Sequence, residues 1–197
     1  MSLVISGGHT RIYYLKKHLG FELLGQTRDD AMGECLDKVS LLLGYTYPGG
    51  PVIEKLALTG QDTYPLPLTK LGKSYDFSFS GLKTAVRKLI EESNGKLNVN
   101  NLAYSLQYTL AKILTFKIEK VLNCKPVNTI VLGGGVVANQ YLTGYLQKFL
   151  QNKKINLFIP QKKYCTDNAA MIGILAYYKI KSLNIIVPKN TKKDLLN

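Results

Sequence analysis

Cysteine is scarce in this sequence. Cys35, Cys124 and Cys165 are odd in number and widely spaced, which rules out a CxxC zinc module and points to a reducing, cytoplasmic setting. Histidine is scarcer, with only His9 and His18. Neither HExxH nor HxxxH occurs anywhere in the chain, so the helix-borne metal pair of a zinc peptidase is missing. No usable Ser/His/Asp set replaces it. No apolar run approaches the roughly 18 residues of a membrane span, and no charged-then-apolar leader pattern opens the chain; a membrane partner is not expected. Arginine is limited to Arg11, Arg28 and Arg87, all other basic residues being lysines.

What is present reads as an ordinary globular chain. The 197 residues are 46% hydrophobic, enough for a sizeable core in one domain with an insertion. The 26 basic residues against 13 acidic ones give a net charge of +13. That excess suits a polyanionic partner such as RNA, although a coat of solvated lysines has the same signature.

The patterning is ordered. Strand-like stretches fall at residues 2–6, 11–17 and 21–27, separated by glycine-containing turns. Asp29 and Asp30 open a helix to residue 43, with Ala31, Cys35, Val39 and Leu42 on one face. A short helix over 51–58 follows the turn TYPGGP. Residues 76–92 read as an alternating strand feeding a helix, and a long helix covers 99–122. A strand at 129–132, a glycine turn, a helix over 137–150, a strand at 156–159 and a helix over 166–180 complete the pattern. Three strands, a helix, then strand–helix–strand–helix is the order of a ribonuclease H-like α/β domain. Residues 1–59 and 99–181 are expected to form it, with 60–98 as an insertion and 182–197 as a basic tail.

Two glycine turns carry the chemical interest. LVISGGHT is a short strand emptying into paired glycines, a way to aim backbone N–H groups at an anion; an ordinary hairpin turn reads the same. In GGGVVAN, Gly133, Gly135 and Ala138 fit the dinucleotide fingerprint GxGxx(G/A). That fingerprint needs an acidic residue about 20 positions on, and residues 153–160 read KKINLFIP, with none. A dinucleotide dehydrogenase is therefore rejected.

SGGHT, DDAMGECLDK, YPGGP, DFSFSGLKTA, GGGVVAN and CTDNAAMI follow one another in that order. Together they resemble the TsaD family of tRNA threonylcarbamoyladenosine transferases, formerly labelled O-sialoglycoprotein endopeptidases. The resemblance runs from about residue 3 to residue 180. It implies a ribonuclease H-like lobe of the actin/Hsp70/sugar-kinase (ASKHA) type with a helical insertion, corresponding to the family's C-terminal lobe and inactive alone. It implies transfer of a threonylcarbamoyl group from its adenylate to N6 of the adenine beside the anticodon. By the same resemblance Val4, Ile5, Ser6, Gly7 and Gly8 line the adenylate pocket. Asp37 and Gly50 meet the ribose, with Glu54 as a further acidic contact, and Asn139 meets the nucleotide.

Asp167 corresponds to one ligand of the family's metal, usually iron, although its position at a helix start also suits simple capping. The two histidine ligands, an HxxxH pair, are absent here, so the metal site is partial. Lys83 and Arg87 share a helix face at i,i+4 and are candidate tRNA contacts, with a solvated face as the plain alternative. The family's partners are tRNA and TsaB-like and TsaE-like proteins. The alternatives from other classes are a metalloendopeptidase, as in the older label, and a non-catalytic nucleotide- or RNA-binding paralogue.

Overall fold

A computed structural model describes residues 1–69 and 71–183; the expected basic tail lies, from residue 184 on, outside the described residues. The α/β expectation holds. Three strands lead the chain: β1 (Ser2–Ile5), β2 (Thr10–Lys17) and β3 (Gly20–Gln26). Four helices follow: α1 (Met32–Leu42), α2 (Gly49–Ala57), α3 (Ser80–Glu92) and α4 (Val99–Cys124). Then come β4 (Thr129–Gly133), α5 (Gln140–Gln151), β5 (Asn156–Phe158) and α6 (Ala169–Ser182).

The strands form one sheet in the order β3-β2-β1-β4-β5. Sequential β1, β2 and β3 pair antiparallel through tight turns, whereas β4 joins β1, and β5 joins β4, in parallel. Parallel neighbours need a long crossover, and the helices supply it. Alternation divides the sheet into two faces. Leu3, Ile5, Ile12, Ile130 and Leu132 point into a buried cluster shared with residues of α1 to α5. The other face carries Tyr13, Leu15, Phe21, Leu23, Val131 and Phe158, and most of these are exposed.

The long helix α4 runs through the middle of that cluster. Leu102, Leu106, Leu110, Ile113 and Lys117 are all buried on it, but so are Ala103, Gln107, Ala111, Leu114 and Ile118, more than a single stripe. Lys117 keeps a donor satisfied by giving a hydrogen bond to the Ser74 carbonyl at 2.8 Å. Residues 60–98 add Leu66, Phe77, Phe79, Leu82 and Val86 to the same core.

Helices α1, α5 and α6 start later than expected, each because a polar side chain is used elsewhere, whereas α2 starts earlier, at Gly49 rather than at 51. Helix α1 begins at Met32, since Asp29 turns away to α3 and Asp30 pairs with Lys38 at 2.6 Å. Helix α5 begins at Gln140 behind a 3-10 turn over Gly135–Ala138, because Asn139 caps it by accepting from the Leu142 N–H at 2.9 Å. Helix α6 begins at Ala169 because Asn168, not Thr166, accepts from the Met171 N–H. The strand expected before α3 shrinks to one bridge, Thr27 to Phe77. Phe77 and Phe79 are both buried there as alternation requires.

Candidate functional site

The first glycine turn closes on itself. The Ser6 N–H donates to the His9 carbonyl at 2.7 Å, and the His9 N–H donates to Ser6 Oγ at 3.0 Å. Among the described residues, the N–H groups of Gly7 and Gly8 have no acceptor. Both glycines are exposed, so the turn offers two free donors, as an anion-binding concavity requires.

Backbone from two other segments presses against this turn. The Gly33 N–H donates to the Ser6 carbonyl at 3.2 Å, and a Cβ at Gly33 would stand 2.7 Å from that oxygen. Gly134 has φ of +96°, and a Cβ there would lie 2.3 Å from the Ile5 carbonyl oxygen. Only glycine meets both conditions. The GGG loop is thereby laid beside the end of β1.

Two carboxylates complete the frame while each keeps an oxygen in reserve. Asp37 on α1 accepts from the Gly49 N–H at 2.7 Å, tying α1 to α2. Glu54 on α2 accepts from the Gln140 N–H at 2.6 Å, tying α2 to α5. Each uses one oxygen, and among the described residues the second has no donor. Such oxygens are acceptors suited to a vicinal diol. Asn139 is only 6% exposed and donates through Nδ2 to Gln107 Oε1 at 2.6 Å. Its amide is thus already held at both ends.

These segments enclose a cleft of about 390 Å³. Of the residues expected from the sequence, Gly7, Asp37, Gly50, Glu54 and Asn139 line it. Val4 lies in β1 between Arg11 and Gly133, the Ile5 side chain is in the core, and Ser6 and Gly8 belong to the turn without lining the cleft. Asp167 is exposed and stands outside the lining, while its neighbour Thr166 is part of it. Lys83 and Arg87 sit on α3, half-buried and exposed respectively, away from the cleft.

Sequence reasoning missed Gly33 and Lys162, which also line the cleft. A glycine in the first turn of a helix is a signal of close packing; nothing in QKKY marks Lys162. Among the described residues no three His, Cys, Asp or Glu side chains come together. His18 instead packs against Tyr178, the two rings tilted at 59° with centroids 3.7 Å apart. The described residues therefore do not form the family's metal centre around Asp167.

Solved structures share this fold. The solved structure of HypF from T. kodakarensis superposes with a TM-score of 0.60 at 18% identity, covering 78% of this chain and 20% of that one. The activator of 2-hydroxyisocaproyl-CoA dehydratase from Clostridium difficile, solved with bound ADPNP, gives 0.54 at 12% identity, covering 95% and 64%. At these identities the likeness is one of fold.

Sequence relatives are nearer. The tRNA N6-adenosine threonylcarbamoyltransferase of Mycoplasma capricolum is 48% identical over 185 residues, 91% of this chain and 58% of that protein. The protein of the same description from Staphylococcus saprophyticus is 45% identical over 186 residues, 92% and 54%. The chain thus spans less than two thirds of the length of these relatives. The family description "TsaD: tRNA N6-adenosine threonylcarbamoyltransferase" matches residues 1–174, and the chain belongs to that family.

Proposed function

We propose that this chain forms the adenylate-binding side of a tRNA N6-adenosine threonylcarbamoyltransferase. It corresponds to the ribonuclease H-like, ASKHA-type C-terminal lobe, with residues 60–98 as its insertion between 1–59 and 99–181. The observation that carries this is the cleft itself. Gly7, Asp37, Gly50, Glu54 and Asn139 come from four separate stretches of sequence and converge on one cavity. The bound ADPNP of the dehydratase activator supports a nucleotide in this fold.

In the reaction proposed, the N6 amine of the tRNA adenine attacks the carbamoyl carbonyl of threonylcarbamoyl-adenylate. A C–N bond forms, the bond from that carbon to the phosphate oxygen breaks, AMP leaves and the amine loses a proton. The free oxygens of Asp37 and Glu54 accept from the ribose hydroxyls. The Gly7 and Gly8 N–H groups approach the phosphate, where they offset charge on the leaving side. Val4, Ile5 and Ser6 set that turn, and Asn139 fixes the floor of the cleft. Asp167 would be one ligand of the family's iron, with co-ligands that the described residues do not supply. Lys83 and Arg87 are offered to tRNA phosphates, and TsaB-like and TsaE-like proteins are the expected partners in a cytoplasmic pathway. No helix among the described residues is long and apolar enough to cross a membrane.

Calorimetric titration with AMP and with a stable threonylcarbamoyl-adenylate analogue tests the reading. Weak but measurable binding is expected. Asp37→Asn keeps an acceptor for the Gly49 N–H while turning the free oxygen into a donor. It should weaken both ligands by roughly tenfold, the scale of one hydrogen bond to a charged group. The isolated chain should leave tRNA unmodified by mass spectrometry. Binding of tRNA with no affinity for either adenylate would favour a non-catalytic RNA-binding paralogue instead.

A further inference from the structure

The cleft is lined by two carboxylates, Asp37 and Glu54, and, among the described residues, by one basic side chain, Lys162. Both acids come from α1 and α2. Lys162 comes from the segment after β5, in the 3-10 turn Lys162–Tyr164, beside Thr166, whose methyl lies near Gly135. Its surroundings differ from those of its neighbour. The Lys163 ammonium lies over the Tyr164 ring, 4.9 Å from its centroid. Lys162 is exposed and, among the described residues, has no carboxylate within salt-bridge distance. An ammonium on a flexible stem, unpaired and bordering a cavity, acts as a mobile point charge for a phosphate.

We infer that Lys162 is the cationic contact for the phosphate of a nucleoside monophosphate bound in this cleft. The inference rests on the adenylate reading given above and adds a charge recognition element to it. A nucleoside monophosphate has a diol at one position and an anion at another. The cleft matches that pattern, with its spare carboxylate oxygens on the α1/α2 side and its single ammonium on the β5 side. The two Gly7 and Gly8 donors are uncharged and orient the phosphate, whereas Lys162 contributes the attraction that separates a phosphorylated ligand from its nucleoside.

The test compares AMP with adenosine by calorimetric titration of the 197-residue chain and of Lys162→Ala, Lys162→Arg and Lys163→Ala. Lys162 is a solvated side chain, so its removal leaves the fold intact. Lys162→Ala should weaken AMP roughly tenfold and leave adenosine unchanged, a charge contact being worth about one decade here. Lys162→Arg should restore AMP binding, and Lys163→Ala should leave it as in the parent chain. An AMP affinity unchanged in Lys162→Ala overturns the inference while the adenylate reading stands. So does an equal loss for adenosine, or an equal effect of Lys163→Ala. If the parent chain binds neither ligand, the adenylate reading fails and the role of Lys162 fails with it.

Discussion

Asp29 shows how much of this molecule a single carboxylate organises. Helix α3 starts at Ser80 behind Phe79, which has no capping side chain. Its first N–H groups instead find Asp29, fifty residues earlier: Oδ1 accepts from Phe79 N–H at 2.8 Å and Ser80 N–H at 3.3 Å. Oδ2 accepts from the hydroxyls of Ser78 and Ser80. The helix is thus capped in trans, and the cap pins DFSFS against the start of α1. Burial alone pushes the Asp29 carboxyl upward, but the hydrogen bonds from Ser78, Phe79 and Ser80 outweigh it, leaving it below the usual carboxylate range. Asp76 is lowered in the same sense: burial opposes, and Gln26, Ser74 and Arg28 prevail. A depressed folded pKa gives stability that is complete above the unfolded value, about 3.9, and is lost as pH falls through the folded value. Urea titrations should therefore show stability falling below about pH 4. Asp29→Ala should cost about 1–2 kcal/mol at neutral pH, the scale of a lost helix cap. Asp29→Asn should flatten the acid slope.

At the scale of elements, the N-terminus of α1 against the glycine turn decides whether the cleft exists. Helix propensity taken alone favours alanine at Gly33 by about 1 kcal/mol. The packing has the opposite sign, because a Cβ would meet the Ser6 carbonyl oxygen and the Gly7 backbone at 2.7–2.8 Å. Backbone atoms cannot step aside as a side-chain tip can. Gly33→Ala should therefore destabilise the chain by about 1–3 kcal/mol and weaken AMP by more than tenfold as the turn shifts. Urea midpoints and the same titration measure the two effects.

That contact joins residues far apart in the chain, which no local residue pattern encodes. Period-two and period-3.6 patterns located β1 to β5 and α1, α2 and α4, because each buries one face or, for α4, most faces. Element starts were less legible, since Asp29, Asn139 and Asn168 choose partners that depend on the fold. Gly7, Asp37, Gly50, Glu54 and Asn139 were legible through motif order, and they share the cleft. Lys162 was not, because a lysine among lysines becomes distinctive only when a cavity is placed beside it.

For the whole molecule, the decisive feature is a sheet with one covered face. Helices α1 to α5 join the inner face in a single core. On the outer face Phe21 is 64% exposed, Phe158 is 62% exposed, and Leu15, Leu23 and Val131 are also exposed. Helix α6 is apolar yet has no buried residue; Ile172, Ile174 and Tyr177 all face water. It reaches the sheet's hairpin end through the contact of Tyr178 with His18. Exposed apolar side chains gathered on a sheet face and on a helix are the kind of surface a partner covers, and the hydrophobic effect favours their removal from water. The matched relatives are longer than the stretch they share with this chain, and additional polypeptide of that kind is one means of covering such a face. The isolated chain should accordingly bind a hydrophobic dye and grow in apparent mass with concentration in light-scattering chromatography. Phe21→Ser combined with Phe158→Ser should reduce both signals without lowering AMP affinity, because neither residue lines the cleft. A monodisperse, dye-silent monomer would show instead that α6 lies down over the sheet in solution and closes the face from within the chain.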